Sequence, residues 1–264
     1  VGDKVTAKLG GNMRYAVSGG AALPFKVAQT FIGLGLEILQ GYGMTETSPV
    51  ISANRPGNND PLSVGEPFRG IEVRIGEHDE LQVKTPGMML GYWNNHAATR
   101  EVIDPDGWLH TGDQAKIEDK RIYITGRLKD ILVLSNGEKI PPGDMESAIC
   151  MDGLFDQALI VGEGKSYLSA IVVLNSELWF GFAKDRGLDP FDRDSLDNAG
   201  LQKKVVSRIQ AQLHDFPGYA KVRRVILTLD PWTVADGLMT PTLKLKRARV
   251  LERFADRIET LYSS

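Results

Sequence analysis

An apolar run at residues 36–39 leads into Gln40-Gly41-Tyr42-Gly43-Met44-Thr45-Glu46-Thr47, and this octet constrains the fold more than any other stretch. Two glycines around an aromatic residue allow a tight turn and close approach to a ligand face, because neither carries a Cβ. Upstream, residues 13–17 read as a short strand entering the turn Ser18-Gly19-Gly20, and Pro24 opens an apolar-periodic helix to residue 32. Strand, helix, strand and then a glycine-bearing loop is βαβ-like order, with the loop placed where open α/β sheets bind ligands.

From residue 71 onward the pattern changes to short β segments at 72–75, 81–84, 114–117 and 121–125, the last two joined by the polar turn Glu118-Asp119-Lys120. A boundary is expected near Arg127-Leu128-Lys129-Asp130, dividing residues 1–128 from a smaller α+β domain at 129–264. In the latter, residues 144–150 and 201–213 suit helices, and 157–161, 167–174 and 222–229 suit strands. Leu251, Phe254, Ile258 and Leu261 form a closing helical stripe, expected to be core packing.

The 264 residues carry a net charge of −3, which argues against nucleic acid as the main partner. The single cysteine, Cys150, excludes an internal disulfide and fits a reducing cytoplasm. No apolar run approaches the ~20 residues that span a bilayer, so any membrane contact is expected to be peripheral, at the inner face. Val1 is not a methionine, and the residues after it read as mid-domain sequence.

Several side chains have chemistry suited to a nucleotide. Tyr42 offers a flat surface to an adenine ring, Thr45 a hydroxyl to a phosphate oxygen, and Glu46 a hard oxygen to Mg²⁺. Asp113, after Thr111-Gly112 at the head of the expected hairpin, can accept both vicinal hydroxyls of a ribose. The planar fork of Arg127 can hold ribose oxygen or phosphate, with Ile124 as an apolar contact three residues before it.

The octet, with Trp108-Leu109-His110-Thr111-Gly112-Asp113, Thr125-Gly126-Arg127-Leu128-Lys129-Asp130 and Thr240-Pro241-Thr242-Leu243-Lys244-Leu245-Lys246-Arg247, resembles in order the signatures of the adenylate-forming superfamily. That superfamily comprises acyl-CoA synthetases, luciferases and peptide-synthetase adenylation domains, and the resemblance runs from Ser18 to Arg247. It implies the trailing part of the large AMP-binding domain, with β-α units and a small barrel-like β region, then a small mobile α+β domain.

The resemblance also implies roles. Ser18, Gly19 and Gly20 form a backbone wall beside the adenine; Gly41, Tyr42 and Gly43 form the nucleotide loop; Thr45 binds phosphate and Glu46 is linked to Mg²⁺. Asp113 holds the ribose and Lys129 is the hinge between adenylating and thioester-forming poses. Lys244 is the catalytic lysine, a point charge favouring the transition state as carboxylate attacks the α-phosphorus of ATP. Lys246 competes for that role, since Leu243 stands where the superfamily's usual pattern has glycine; this departure resembles the long-chain fatty acyl branch. Gly137 and Lys139, in Asn136-Gly137-Glu138-Lys139, match the loop that meets the pantetheine of CoA.

The expected function is therefore that of an AMP-forming long-chain fatty acid–CoA ligase using ATP, Mg²⁺ and CoA, with Val64-Gly65 in the acyl wall. No Ser/Thr/Gly-rich phosphate loop precedes Ser18, so the expectation is a C-terminal portion, inactive without the N-terminal part of the same enzyme. Two alternatives stand beside it: an acyl-AMP ligase loading a carrier protein, and a non-catalytic binding module that keeps the fold.

Overall fold

Pro24 and the apolar positions after it form the expected helix in the computed structural model, which describes residues 2–263. The chain separates into two units, Val1–Lys129 and Asp130–Ser264. The first begins with α1 (Gly2–Lys8), β1 (Tyr15–Ser18), α2 (Phe25–Gly33) and β2 (Glu37–Gly43). Strands β1 and β2 are parallel, with Ser18 opposite Gln40, so the connection through α2 is the βαβ unit read from the sequence. Pro24 sits one residue earlier than expected, at the helix N-cap.

β3 (Val50–Ala53) and β4 (Glu66–Pro67) continue this sheet antiparallel to β2. A second sheet runs in the order β5 (Glu72–Ile75), β6 (Glu80–Lys84), β7 (Leu109–Glu118), β8 (Arg121–Arg127), an antiparallel meander with α3 (His96–Val102) inserted before β7. Asp119 and Lys120 have φ of 47° and 66°, the two left-handed residues that a primed two-residue hairpin requires. Ile122 of β8 stitches the sheets together: it accepts from Val64 N at 2.9 Å and donates to Gly65 O at 3.0 Å. Between them Ile51, Leu81, Val83, Ala115 and Ile122 form a buried cluster. The expected strand at 114–117 is thus the second half of a longer one, and Asp113 lies inside β7 rather than at the head of a hairpin.

The second unit opens with a small hairpin, β9 (Leu132–Val133) and β10 (Lys139–Ile140), followed by α4 (Pro142–Ile149). Next come β11 (Phe155–Val161), β12 (Leu168–Leu174), α5 (Ser176–Lys184), α6 (Ala199–Gln212), β13 (Val222–Thr228), α7 (Arg247–Arg253) and α8 (Ala255–Ser263). The three long strands form a sheet ordered β11-β12-β13, antiparallel then parallel.

All seven residues of β12 are buried, which explains its uninterrupted run of apolar and small residues: a strand covered on both faces has no polar side to show. Leu168, Ala170, Val172 and Leu174 join one cluster with Met145 of α4 and Leu201, Val205 and Ile209 of α6. Ile171 and Val173 point the other way, onto Trp232, Val250 and Phe254.

Two elements differ from expectation. The closing stripe is not one helix: α7 ends at Arg253 and α8 starts at Ala255, with half-buried Ile258 and Leu261 packed under the sheet. α5 carried no legible period, because Gly181 and three large aromatics dilute its helical signal; it buries Trp179 and Ala183. Cys150 is half-buried, and burial, with the charges of Glu146 and Asp156, pushes its thiol up to about 11, which leaves it unreactive near neutrality. Among the described residues no helix is long and apolar enough to cross a membrane.

Candidate nucleotide site and lysine hairpin

In the first unit the parallel pairing of β1 with β2 carries Ser18-Gly19-Gly20 alongside Gly41-Tyr42-Gly43. A Cβ on Gly19 would stand 3.4 Å from Gly41 O, and Gly20 turns the chain away at φ +84°. The two glycines of the octet do not make the tight turn their spacing suggests; both lie in β2 without left-handed φ. Their requirement comes from the neighbouring strand. A Cβ on Gly43 would fall 2.0 Å from Pro49 O, and one on Gly41 would meet Ser52 O at 3.2 Å.

Tyr42 is half-buried, with its ring packed on the inter-sheet cluster. Its hydroxyl donates to Asp113 Oδ2 at 2.5 Å, and Arg127 Nε donates to Oδ1 at 2.8 Å. Asp113 and Arg127 face each other across the β7–β8 ladder, so strand register brings them together. Asp113 is 7% exposed, and its backbone N–H donates to Thr111 Oγ1 at 3.1 Å. Burial, then the Asp113 charge, holds the Tyr42 phenol far above its ordinary value, so it remains a donor at any working pH. Gly112, at φ +71°, donates to Glu80 Oε1 at 2.9 Å, and Glu80 Oε2 meets His110 Nδ1 at 2.7 Å. This brace on the Asp113 segment has no sequence signal, because Glu80 and Gly112 lie 32 residues apart.

In an enzyme carrying this chain, Asp113→Ala is expected to weaken nucleotide binding by about 1.5–3 kcal/mol, the scale of charge-assisted hydrogen bonds. Calorimetric titration with ATP measures it; an unchanged affinity would remove Asp113 from the ribose role.

Beyond β2 the octet ends in a 3-10 turn, Thr45–Thr47. Thr47 is buried and donates to the carbonyls of Met44 and Pro49, so its hydroxyl holds the turn. Thr45 is exposed, and its hydroxyl makes no hydrogen bond among the described residues. Glu46 Oε1 accepts from Tyr92 OH at 2.8 Å, a partner 46 residues away that sequence reading missed. Glu46 is the one carboxylate of the octet. A single carboxylate suits Mg²⁺, which completes its shell with substrate phosphates and water. Ile124 is half-buried against the same cluster as Tyr42. Lys129 is exposed in the short turn Leu128–Asp130 at the end of this unit.

In the second unit Lys244 lies on a tight hairpin. Thr240 organises it: its N–H donates to Lys244 O at 2.8 Å, its carbonyl accepts from Leu243 N at 2.8 Å, and its Oγ1 accepts from Lys244 N at 3.0 Å. Met239 and Leu245 form a bridge below, and Lys246 N donates to Leu238 O. Leu243, which replaces the expected glycine, keeps a left-handed φ of 60° and is 68% exposed. The backbone at Leu243 therefore has the shape a glycine would adopt freely. That strain costs about 1–2 kcal/mol.

Leu243→Gly is expected to stabilise this unit by about 0.5 kcal/mol, since glycine's chain entropy of roughly 0.5–1 kcal/mol offsets part of the relief. Leu243→Ile should move urea midpoints the opposite way. Lys244 and Lys246 are both exposed. Gly137 caps the β9–β10 turn at φ +85°, with Lys139 exposed beside it.

The sequence profile described as AMP-binding enzyme matches residues 2–93, and that of the AMP-binding enzyme C-terminal domain matches residues 129–264. The chain is 34% identical over 272 residues to the long-chain-fatty-acid–CoA ligase FadD15 of Mycobacterium bovis, covering 98% of this chain and 44% of that protein. It is 30% identical over 277 residues to the chloroplastic long-chain-fatty-acid–[acyl-carrier-protein] ligase AEE15 of Arabidopsis thaliana, covering 96% and 36%. The A domain of carboxylic acid reductase from Segniliparus rugosus, solved with AMP and a co-purified carboxylic acid, superposes with a TM-score of 0.79 at 25% identity, covering 97% of this chain and 40% of that one. The chain thus spans less than half the length of these relatives.

Proposed function

Because the chain belongs to the AMP-binding enzyme family, we propose that it is part of an AMP-forming long-chain fatty acid–CoA ligase. The observation that carries this reading is the Tyr42–Asp113–Arg127 arrangement around a buried carboxylate, next to an exposed Thr45 hydroxyl and the Glu46 carboxylate. The similarity to FadD15 supports fatty acids and CoA as substrates. Residues 1–128 supply the trailing part of the large AMP-binding domain and residues 129–264 the small mobile one.

In the first half-reaction a fatty acid carboxylate oxygen attacks the α-phosphorus of ATP, and the bond to pyrophosphate breaks. Asp113 and Arg127 hold the ribose, with Ile124 and the Ser18–Gly20 wall against the base. Thr45 donates to a phosphate oxygen, and Lys244 offsets the charge growing on the α-phosphate oxygens. Glu46 would hold Mg²⁺, which would supply further charge neutralisation at the phosphates. In the second half-reaction the CoA sulfur attacks the acyl carbonyl, forming the thioester and releasing AMP, with Gly137 and Lys139 on the CoA side. Lys129 is the pivot between the two poses. Lys129→Pro fixes φ near −65°, so one half-reaction should survive and the other fall; equal loss of both would remove the pivot role.

The similarity to AEE15 favours a second reading, in which the acyl group passes to a carrier protein instead of CoA. Both readings are tested in an enzyme carrying this chain by supplying radiolabelled palmitate, ATP and either CoA or phosphopantetheinylated carrier. Palmitoyl-CoA is the expected product. Thioester on the carrier alone would select the second reading, and absence of palmitate-dependent AMP would overturn both.

A further inference from the structure

In the sheet of the second unit, β13 lies at an edge, with β12 as its one neighbouring strand. Along the other side runs a groove of about 780 Å³, walled by α6 on one side and α8 on the other. A smaller cavity of about 250 Å³ continues it towards the C-terminal end of the strand. The floor is the strand itself, from Arg223 to Leu229, with Val206 and Leu261 as apolar shoulders.

Side chains already meet two carbonyls of this strand. Gln210 Nε2 donates to Val222 O at 3.1 Å, and Arg257 Nη1 donates to Leu227 O at 3.3 Å. Arg257 also bonds Asp197 at 3.0 Å across the groove, yet its side chain is 42% exposed. Such exposed ties exchange readily for a better donor. An uncovered strand edge flanked by helices is the geometry in which an extended peptide adds as a further strand.

The charge of the groove selects what can enter. Lys203, Arg223, Arg224 and Arg257 face it, against Asp197 and Asp256. Lys203 on the α6 wall and Arg223 on the strand make no ion pair among the described residues; Arg223 lies over the Tyr167 ring at 5.6 Å. The whole chain carries net negative charge, so this positive groove is a local departure.

We propose that the β13 edge groove binds an extended, carboxylate-bearing segment of a partner protein as a fourth strand. Its backbone bonds to the free edge, apolar side chains from its two faces settle on Val206 of one wall and Leu261 of the other, and its carboxylates meet Lys203 and Arg223. The site is independent of the nucleotide chemistry, so it stands or falls without it.

The test uses the full chain and a fluorescein-labelled, end-blocked decapeptide in which pairs of glutamates alternate with pairs of valines, so that each face of the strand shows both, followed by anisotropy at physiological salt. Saturable binding is expected, weakened at least tenfold by Lys203→Glu with Arg223→Glu. The same decapeptide with proline at one odd and one even valine position, which keeps every carboxylate, should not bind, since proline has no N–H for the edge. The alanine pair Lys203→Ala with Arg223→Ala replaces the reversal if that variant melts earlier than wild type. Absence of saturable binding overturns the proposal. So do equal binding of the proline peptide, binding unaffected by either pair of substitutions, displacement by equimolar pyrophosphate, and binding seen only on dimerisation of the chain.

Discussion

In an enzyme carrying this chain, replacing Lys244 by alanine is expected to lower acyl-dependent ATP–pyrophosphate exchange by about 10²–10³-fold, the effect of removing one preorganised charge from a phosphoryl-type transition state. The hairpin that carries Lys244 is held by backbone groups and by Thr240 and Thr242, so the substitution leaves its hydrogen bonds in place. The loss should therefore read as chemistry rather than unfolding. Thioester formation from supplied acyl-AMP should be spared, because in the proposed thioester-forming pose Lys244 no longer faces the phosphate. Lys246→Ala is the internal control: Lys246 is exposed at the N-cap of α7, where its backbone, not its ammonium, holds the hairpin. If Lys246 proves the sensitive residue and Lys244 the tolerant one, the assignment across Leu243 is displaced by two positions. If both are tolerated, neither lysine serves adenylation.

Arg247→Ala should destabilise the second unit by about 2–4 kcal/mol, towards the lower end of the cost of breaking a buried ion pair. Its guanidinium donates to Glu146 Oε1 at 2.6 Å and to Ile160 O at 2.9 Å, and stands 3.9 Å from Asp130. The two side chains are 18% and 16% exposed, so each is nearly out of water without being sealed from it. Glu146 also accepts from Ile160 N at 2.7 Å, which ties α4 to β11.

Burial raises the Glu146 carboxyl above its ordinary range, and Arg247 pulls it back. A carboxyl raised by folding binds more protons folded than unfolded, so its ionisation lowers stability as pH rises above the unfolded value. Without Arg247 that loss grows. The deficit of the variant should be smaller at pH 4 than at pH 7, read from urea midpoints of the 264-residue chain. An equal deficit at both would mean that the guanidinium contributes packing alone.

How much of this was legible beforehand depended on whether a residue's partner lies close in sequence. The βαβ unit, the Glu118–Arg121 hairpin and the three long strands of the second unit follow from local periodicity and turn chemistry, so they were readable, whereas the two-residue strands β9 and β10 are too short to show a period. Tyr42, Asp113 and Arg127 could be named as site residues, but not the bond from the Tyr42 hydroxyl to the carboxylate, which joins residues 71 apart. Glu80 and Tyr92 were invisible for the same reason: each looks like any solvent-facing polar residue until the sheets are assembled. The break at Phe254 escaped because its apolar spacing continues across the join, and only the backbone there departs from helix.

The crowding at Gly43 bears on how much a motif match is worth. With Pro49 O at 2.0 Å from any added Cβ, glycine is demanded there by strand packing, whether or not a nucleotide is ever bound. A descendant that had abandoned catalysis would still spell that letter, or lose the sheet. The letters with diagnostic weight for activity are those the architecture leaves free, and Thr45 and Lys244 are two of them: both are exposed, and neither side chain is needed to hold its turn. A search for silent relatives of this chain should therefore ignore the glycines and look for threonine and lysine that have drifted while the glycines stayed.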